Sequence, residues 1–232
     1  MPAGIPEGTS IEVCDLFATV PARRKFLRTA QTEMGHIVEW IQHIALARPD
    51  VAFHCQHGKR RVLSYPAVRK LHDRLRQVLG AERSKDMVEV QGTDSGVEVS
   101  GFVSRPGTSF AQARNVLTFV GNRRVRDRVL QRAVMDAYRA LLPQRRYPAA
   151  VVFVDVSGEA VDVNVHPTKT EVRFANPDLV FGAVLRAIRA ALAGPGLREE
   201  GATAATEPDQ SEASAEVSPR AGGVTGALRR YA

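Results

Sequence analysis

The sequence predicts a mixed α/β (α+β) fold in which strands and helices share one sheet. Three observations carry that reading. Strand-like and helix-like segments alternate along the 232 residues without an internal repeat. The run Ala149–Val156 is apolar almost throughout, as a strand covered on both faces must be. Several longer segments place apolar residues three and four apart, the spacing of helices with one buried face.

In chain order, residues 8–13 (GTSIEV) read as a short strand, followed by an irregular arm, DLFATVPARRKFL. Thr29 or Thr32 can cap a helix whose apolar positions are Met34, Ile37, Val38, Ile41, Ile44 and Ala45, with Pro49 as its stop. Val51–Gln56 and Arg61–Tyr65 flank His57-Gly58-Lys59, a hairpin with glycine at the turn. A second helix is expected between Pro66, in its first turn, and Gly80, just past its end, with Val68, Leu71, Leu75 and Val78 inward. Met87–Gln91 and Val97–Val103 form another hairpin around residues 92–96. The apolar segment Asn115–Val120 ends in a Gly121-Asn122 turn, and Asp127 caps a helix expected to run through Leu142 to Pro143. After the apolar run, Ser157-Gly158 turns the chain into Val161–Val165, then an irregular HPTKTE segment and Val172–Phe174. Asn176 and Pro177 open a last helix that reaches Gly194. Residues 195–232 are rich in Ala, Gly, Glu, Ser and Thr with one aromatic, too little apolar area to offset chain entropy, so this tail is expected to be disordered.

Charge narrows the class of partner. The net charge is +7, and the surplus lies in residues 1–193, which carry 28 basic and 19 acidic residues. Such an excess fits either a polyanionic partner or solubility alone. The basic residues are not spread evenly. Arg123, Arg124, Arg126, Arg128, Arg132, Arg139, Arg145 and Arg146 fall within 24 residues, opposed only by Asp127 and Asp136. With Arg126, Arg128 and Arg132 near one end of a helix whose other face is apolar, several guanidiniums should project together and contact phosphates without reading sequence. Aromatics are scarce there, so platforms for stacked single strands are not expected. No run of about 20 apolar residues exists, which excludes a membrane-spanning helix. The start lacks the basic and apolar regions of a secretory signal, and Cys14 and Cys55 stand apart from each other and from any ligand-spaced histidine. A cytoplasmic, nucleoid-associated location follows as an expectation.

Three segments resemble the MutL family of DNA mismatch-repair proteins: GTSIEVCDLFATVPARRKFL (residues 8–27), FVGNRRVRD (119–127) and VDVNVHPTKTEVRF (161–174). Their order and spacing extend the resemblance from residue 8 to about 193. It implies the end of a GHKL ATPase domain over residues 1–60, a transducer domain over 61–194 with a left-handed βαβ crossover and a fold shared with a ribosomal protein, and a linker tail over 195–232. It also implies roles. Gly8 and Thr9 match the last motif of the ATP site, where glycine admits close backbone approach and threonine offers a hydroxyl beside a phosphate. Lys169 matches the lysine that reaches the γ-phosphate from the second domain, a task suited to a flexible ammonium. Pro167 fixes the backbone that presents it, while Asn164 and His166 read as loop-shaping residues. Arg123 matches a DNA-groove arginine, with Arg124, Arg126, Arg128, Arg132 and Arg173 as further contributors.

The family's Glu-x-x-x-Asn-x-x-Asp-Ala helix, Asp-Asn-Gly adenine motif and glycine-rich lid are not found in these residues. The expectation is therefore a chain that binds no ATP or Mg²⁺ and hydrolyses nothing by itself, although the intact family uses both. Implied partners are duplex DNA, a MutS-type mismatch-recognition protein, a strand-incision nuclease, a helicase and a second copy of the protein. Gly121-Asn122 inverts the family's Asn-Gly, and Ala18-Thr19-Val20 replace its Tyr-Asn-Thr. Two other readings stay open: a transducer fragment of another GHKL protein, such as a type II topoisomerase, and a basic nucleic-acid-binding module with no nucleotide dependence.

Overall fold

The computed structural model describes residues 12–162 and 172–194. Of the strand expected at 8–13, residues 12 and 13 are irregular and the rest lies outside the described residues, as does the tail from 195. A single helical turn, α1 (Pro21–Arg24), precedes α2 (Ala30–Ala47). Thr29 is the cap of α2: its Oγ1 accepts the Thr32 backbone N–H at 3.3 Å. Strands β1 (Phe53–His57) and β2 (Arg60–Tyr65) pair antiparallel, from Phe53 opposite Tyr65 to His57 opposite Arg60, around Gly58 at φ 58°. This pairing crosses residue 60, where the resemblance put a domain boundary.

Helix α3 (Leu71–Leu79) begins later than Pro66, because the Val68 N–H is taken by the Pro49 carbonyl at 2.8 Å and holds residues 66–70 as a connector. Gly80, at φ 88°, ends it and opens a short α4 (Ala81–Lys85) that the sequence did not signal. Strands β3 (Met87–Asp94) and β4 (Val97–Ser104) form a longer hairpin than expected, with only Ser95 and Gly96 in the turn. Strand β5 (Val116–Val120) turns at Gly121-Asn122 into a short β6 (Arg123–Val125). Asp127 then caps α5 (Arg128–Ala137), accepting from the N–H groups of Val129 and Leu130 at 2.9 and 3.0 Å. Helix α5 stops well before Leu142, because buried Tyr138 turns inward and donates its phenolic O–H to the Ser104 carbonyl. Strand β7 (Ala150–Asp155) follows, then the pair β8 (Val161–Asp162) and β9 (Arg173–Phe174). Asn176 caps α6 (Pro177–Leu192), accepting the Leu179 N–H at 3.2 Å.

The main sheet has five strands in the order β3-β4-β7-β5-β6. All neighbours are antiparallel except β5 and β7, which run parallel and are therefore joined by a crossover containing α5. Because β7 is central, its residues alternate between two cores. On one face Val90, Val103, Val116, Val120, Val152 and Val154 pack with Leu130 and Val134 of α5 and Val184 and Ile188 of α6. On the other, Phe102, Leu117, Phe119 and Val151 meet Leu46 of α2 and Leu75 of α3. Phe119 stacks on Phe153 with centroids 4.6 Å apart. Each fully buried side chain of this kind contributes roughly 1.5–3 kcal/mol over exposure.

Helix α2 uses its circumference in three arcs. Leu46 and Ala47 face the sheet, while Val38, Ile41 and Ala45 pack with Leu63 and Tyr65 of the hairpin. Ile37 and Ile44, expected inward, fall with Trp40 on the third arc and are about half exposed. Their helical spacing holds, but two separate packing partners on different sides of α2 leave them over.

The hairpin layer is tied down by Arg74, which is completely buried. Its Nη2 donates to the carbonyls of Pro49 (2.8 Å) and Val51 (2.6 Å), its Nη1 donates to Gln77 Oε1 (2.8 Å), and its guanidinium lies 5.7 and 5.9 Å from the Phe53 and Tyr65 ring centres. Burial holds its pKa below the usual arginine value, opposed by Tyr65 and Asp50.

Strand β4 lies against β7 at Gly101, where φ is 139° and an added Cβ would sit 2.0 Å from the Val151 carbonyl oxygen. Gly101→Ala should therefore lower unfolding free energy by about 2 kcal/mol or more, whereas Gly107→Ala, with open space around it, should change it by less than about 0.5 kcal/mol. Chemical denaturation of the two variants measures this; equal midpoints would refute the close approach.

Candidate nucleic-acid interface

The arginine-rich segment maps onto the last strand of the sheet and the helix after it. Strand β6 lies at the edge, with Val120 opposite Arg123, Phe119 opposite Arg124 and Thr118 opposite Val125. Residues opposite one another share a face. Val125 therefore joins the core beneath α5 and α6, and Arg124 is turned to the Phe119 side, towards α2. Arg123 stands exposed at the turn.

Arg124 does not project into water with its neighbours. It is partly buried, its Nη1 donates to the Val125 carbonyl, and its Nε has no partner. Burial brings its pKa down to about 10, Arg126 pushes in the same direction, and Glu39 opposes both. His43 of α2 belongs to the same group. Burial, then the charges of Arg124 and Arg126, hold its pKa at about 4 against the pull of Glu39. The imidazole is thus neutral at physiological pH. Trp40 stands edge-on to it, centroids 6.4 Å apart, and is 55% exposed. Glu39 and His43 were not singled out from the sequence; the four-residue spacing that makes them helix neighbours was their only signal.

Arg126 and Arg128 are exposed on either side of Asp127, whose carboxylate is committed to the helix cap. Among the described residues neither forms an ion pair, and the same holds for Arg123. Arg132 lies one turn further along α5. Its guanidinium sits 5.5 Å from the Phe181 ring centre on α6, and its Nε is 3.6 Å from Asp136. Arg173 is exposed on β9, in the separate two-stranded pair. Arg146 is structural, donating to Ser109 Oγ and its carbonyl at 3.0 and 2.6 Å. The structure therefore brings together Arg123, Arg126 and Arg128 at the sheet edge and helix start, with Arg124 folded beneath them.

Gly8, Thr9, Asn164, His166, Pro167 and Lys169 lie outside the described residues. Among the described residues no group of three or more His, Cys, Asp or Glu could hold a metal ion, and Cys14 and Cys55 are free thiols. No described helix is long and apolar enough to cross a membrane.

Residues 75–193 match the family described as DNA mismatch repair protein, C-terminal domain. The chain belongs to that family. The family's domain takes in the five-stranded sheet, α5, α6 and the edge arginines. Over 194 residues the chain is 43% identical to the DNA mismatch repair protein MutL of Syntrophus aciditrophicus, covering 84% of this chain and 32% of that protein. It is 45% identical over 191 residues to MutL of Anaeromyxobacter dehalogenans strain 2CP-C (82% and 31%), and 42% identical over 222 residues to that of Halobacterium salinarum (94% and 33%). The chain thus spans about a third of the length of these relatives. Among solved structures, the N-terminal domain of a DNA repair protein superposes with TM-score 0.64 at 19% identity, covering 80% of this chain and 60% of that one. The ATPase domain of the Aquifex aeolicus mismatch repair endonuclease MutL gives 0.52 at 20% identity (78% and 60%). These two likenesses show that the fold is shared with those domains.

The His43 environment has a measurable consequence. Its folded pKa of about 4 lies below the ordinary 6.5, so as pH falls the unfolded chain takes up the proton first. The stabilisation is complete above pH 6.5 and is lost progressively towards pH 4. An NMR titration of the His43 ring should show its midpoint near 4, and Arg124→Gln should move it upward; a wild-type midpoint near 6.5 would show that His43 is not enclosed.

Proposed function

We propose that the chain is the DNA-engaging, nucleotide-responsive transducer part of a MutL-type protein, mediating between mismatch recognition and strand incision. The observation that carries this reading is the set Arg123, Arg126 and Arg128, exposed and, among the described residues, without carboxylate partners, on a strand edge and helix start within the family's domain. A guanidinium that meets a backbone phosphate releases a counterion and binds without regard to base sequence, which suits a protein that must act wherever a mismatch occurs. Arg132 and Arg173 extend the contact. Arg124 supports it from below, by packing the edge strand against α2.

Lys169, together with Gly8 and Thr9, is assigned to the phosphate end of an ATP site. The bound nucleotide would supply a terminal negative charge that comes and goes with hydrolysis, and an ammonium on a loop can follow it. The general base, the Mg²⁺ ligand and the adenine pocket are assigned to the ATPase half that MutL relatives carry, so this chain by itself is expected to turn over no ATP. Duplex DNA is the direct partner; a MutS-type protein, an incision nuclease, a helicase and self-association belong to the whole protein, and work at the nucleoid follows from them.

The reading predicts salt-sensitive duplex binding. Reversing Arg123 and Arg126 to Glu together should weaken binding to a random-sequence duplex and flatten the slope of log affinity against log salt by about 2, at ~0.9 per lost phosphate contact. Fluorescence anisotropy over a salt series measures both. Unchanged affinity and slope would remove this surface from DNA binding.

A further inference from the structure

The helix α2 does not seal the face of the sheet it covers. Between α2, α3 with α4, and strands β4, β5 and β7 lies a cavity of about 320 Å³, which falls in the size range of small-ligand sites. Its floor is apolar: Leu46 from α2, Leu79 from α3, Leu117 from β5 and Val151 from β7. Its mouth is polar and carries two guanidiniums, Arg83 of α4 and Arg114 just before β5.

We propose that this cavity is a binding site for a small organic anion with an apolar body and one carboxylate-type head group. The body is dictated by the floor. The leucines and the valine at the floor give water few hydrogen-bond partners there, while Gln42, Ser104, Thr108 and Asn115 make the rest of the lining polar, so the site fits a guest with one apolar and one polar end. The head group is dictated by the mouth. Arg83 and Arg114 are both exposed, and among the described residues neither is in an ion pair. Arg83 is already oriented, its guanidinium 5.8 Å from the Phe110 ring centre at the same mouth. A planar guanidinium held against a ring offers its fork of donors to a carboxylate, in the geometry that favours two parallel hydrogen bonds. His43 also lines the cavity; uncharged, it can donate or accept a hydrogen bond without competing for the anion. Glu39, the one carboxylate on the lining, makes the site selective for a single negative charge over a polyanion. The edge arginines 123, 126 and 128 are not among the lining residues, so the site adjoins the proposed DNA surface only through Glu39 and His43.

The test uses the full chain and 2-naphthoate as probe, with acetate and the neutral 2-acetonaphthone as comparisons. Calorimetry should show one saturable site for 2-naphthoate, and at least about tenfold weaker binding of either comparison compound, since each lacks one of the two contacts. Amide correlation spectra should place the shifts at Leu46, Leu117 and Val151. Arg83→Gln with Arg114→Gln should raise Kd by about tenfold or more while leaving circular dichroism and the unfolding midpoint unchanged, both side chains being exposed. Absence of saturation up to the solubility limit overturns the proposal. So does equal affinity in the double variant, or shifts confined to Arg123–Arg132 or to the exposed Ile37, Trp40 and Ile44 face.

Discussion

A strand buried on both faces constrains everything around it. Strand β7 bonds to β4 on one side and β5 on the other, and from Ala150 to Val154 its side chains lie in one core or the other. Two apolar layers must then cover the sheet, α5 and α6 above and α2 and α3 below, and no charge can be carried near its middle without a partner. The few polar groups that enter are committed. Thr118 donates to the Val125 carbonyl at 2.9 Å, and Ser104 donates to the Thr108 carbonyl while its oxygen receives the Ala149 N–H, both at 3.1 Å. A basic chain with such a sheet has to place its surplus charge at the margins, and the margin next to α5 is where the arginines stand.

The lower layer is held by a different means. The β1–β2 hairpin has only a small cluster of its own, with Ala45, Leu63 and Tyr65 as its buried members. An isolated hairpin of this size is marginal in water. Arg74 compensates by reaching through the layer to the carbonyls that end α2 and lead into β1, so hairpin, α2 and α3 are fixed to one another by one side chain. A guanidinium suits the place because it serves two carbonyls and an amide while its flat faces lie against Phe53 and Tyr65. The residue also shows a limit of reading patterns: in the sequence Arg74 is one more arginine on a helix, and nothing in its spacing distinguishes it from exposed Arg76.

Much of the fold was legible because it rests on local rules. Asp127 and Asn176 cap the helices that the sequence assigns them, Thr29 is the cap out of the pair Thr29 and Thr32, and the run at Ala149–Val156 contains the central strand. The misses occur where a distant group intervenes. Tyr138 leaves helix α5 for a carbonyl 34 positions earlier in the chain, and Val68 is drawn to Pro49; neither partner can be inferred from helical periodicity. The site follows the same division. That arginines cluster at 123–132 is a matter of counting, but which of them meets water is decided by strand period: a two-residue alternation sends Arg123 outward and Arg124 beneath, and it becomes visible only once β6 is known to be a strand paired to β5. His43 was illegible for a related reason, since its neighbours come from an element more than 80 positions away.

The two edges of the sheet differ in a way that bears on how a duplex could approach. An open edge strand exposes unpaired backbone groups and invites another strand, and charged side chains are one defence against that. At one edge, β3 carries Glu89 and Asp94 and no basic residue, and Asp94 is held by Arg186 of α6. At the other, β6 carries Arg123 and Arg124 and no acidic residue, and it is only three residues long. Both edges are guarded, but with opposite signs. A polyanion is therefore attracted to the β6 edge and not to the β3 edge, where Arg186 neutralises Asp94 and Glu89 remains, so a single sheet supplies an orientation as well as an attraction. Arg124 shows how the two demands are combined. Placed under the edge and partly buried, it has less access to a phosphate than its neighbours, and it lies on the side of the strand that faces α2. On the proposed reading, a duplex held at Arg123 and Arg126 would bear on the strand that packs against α2, the helix that follows the arm at residues 15–27.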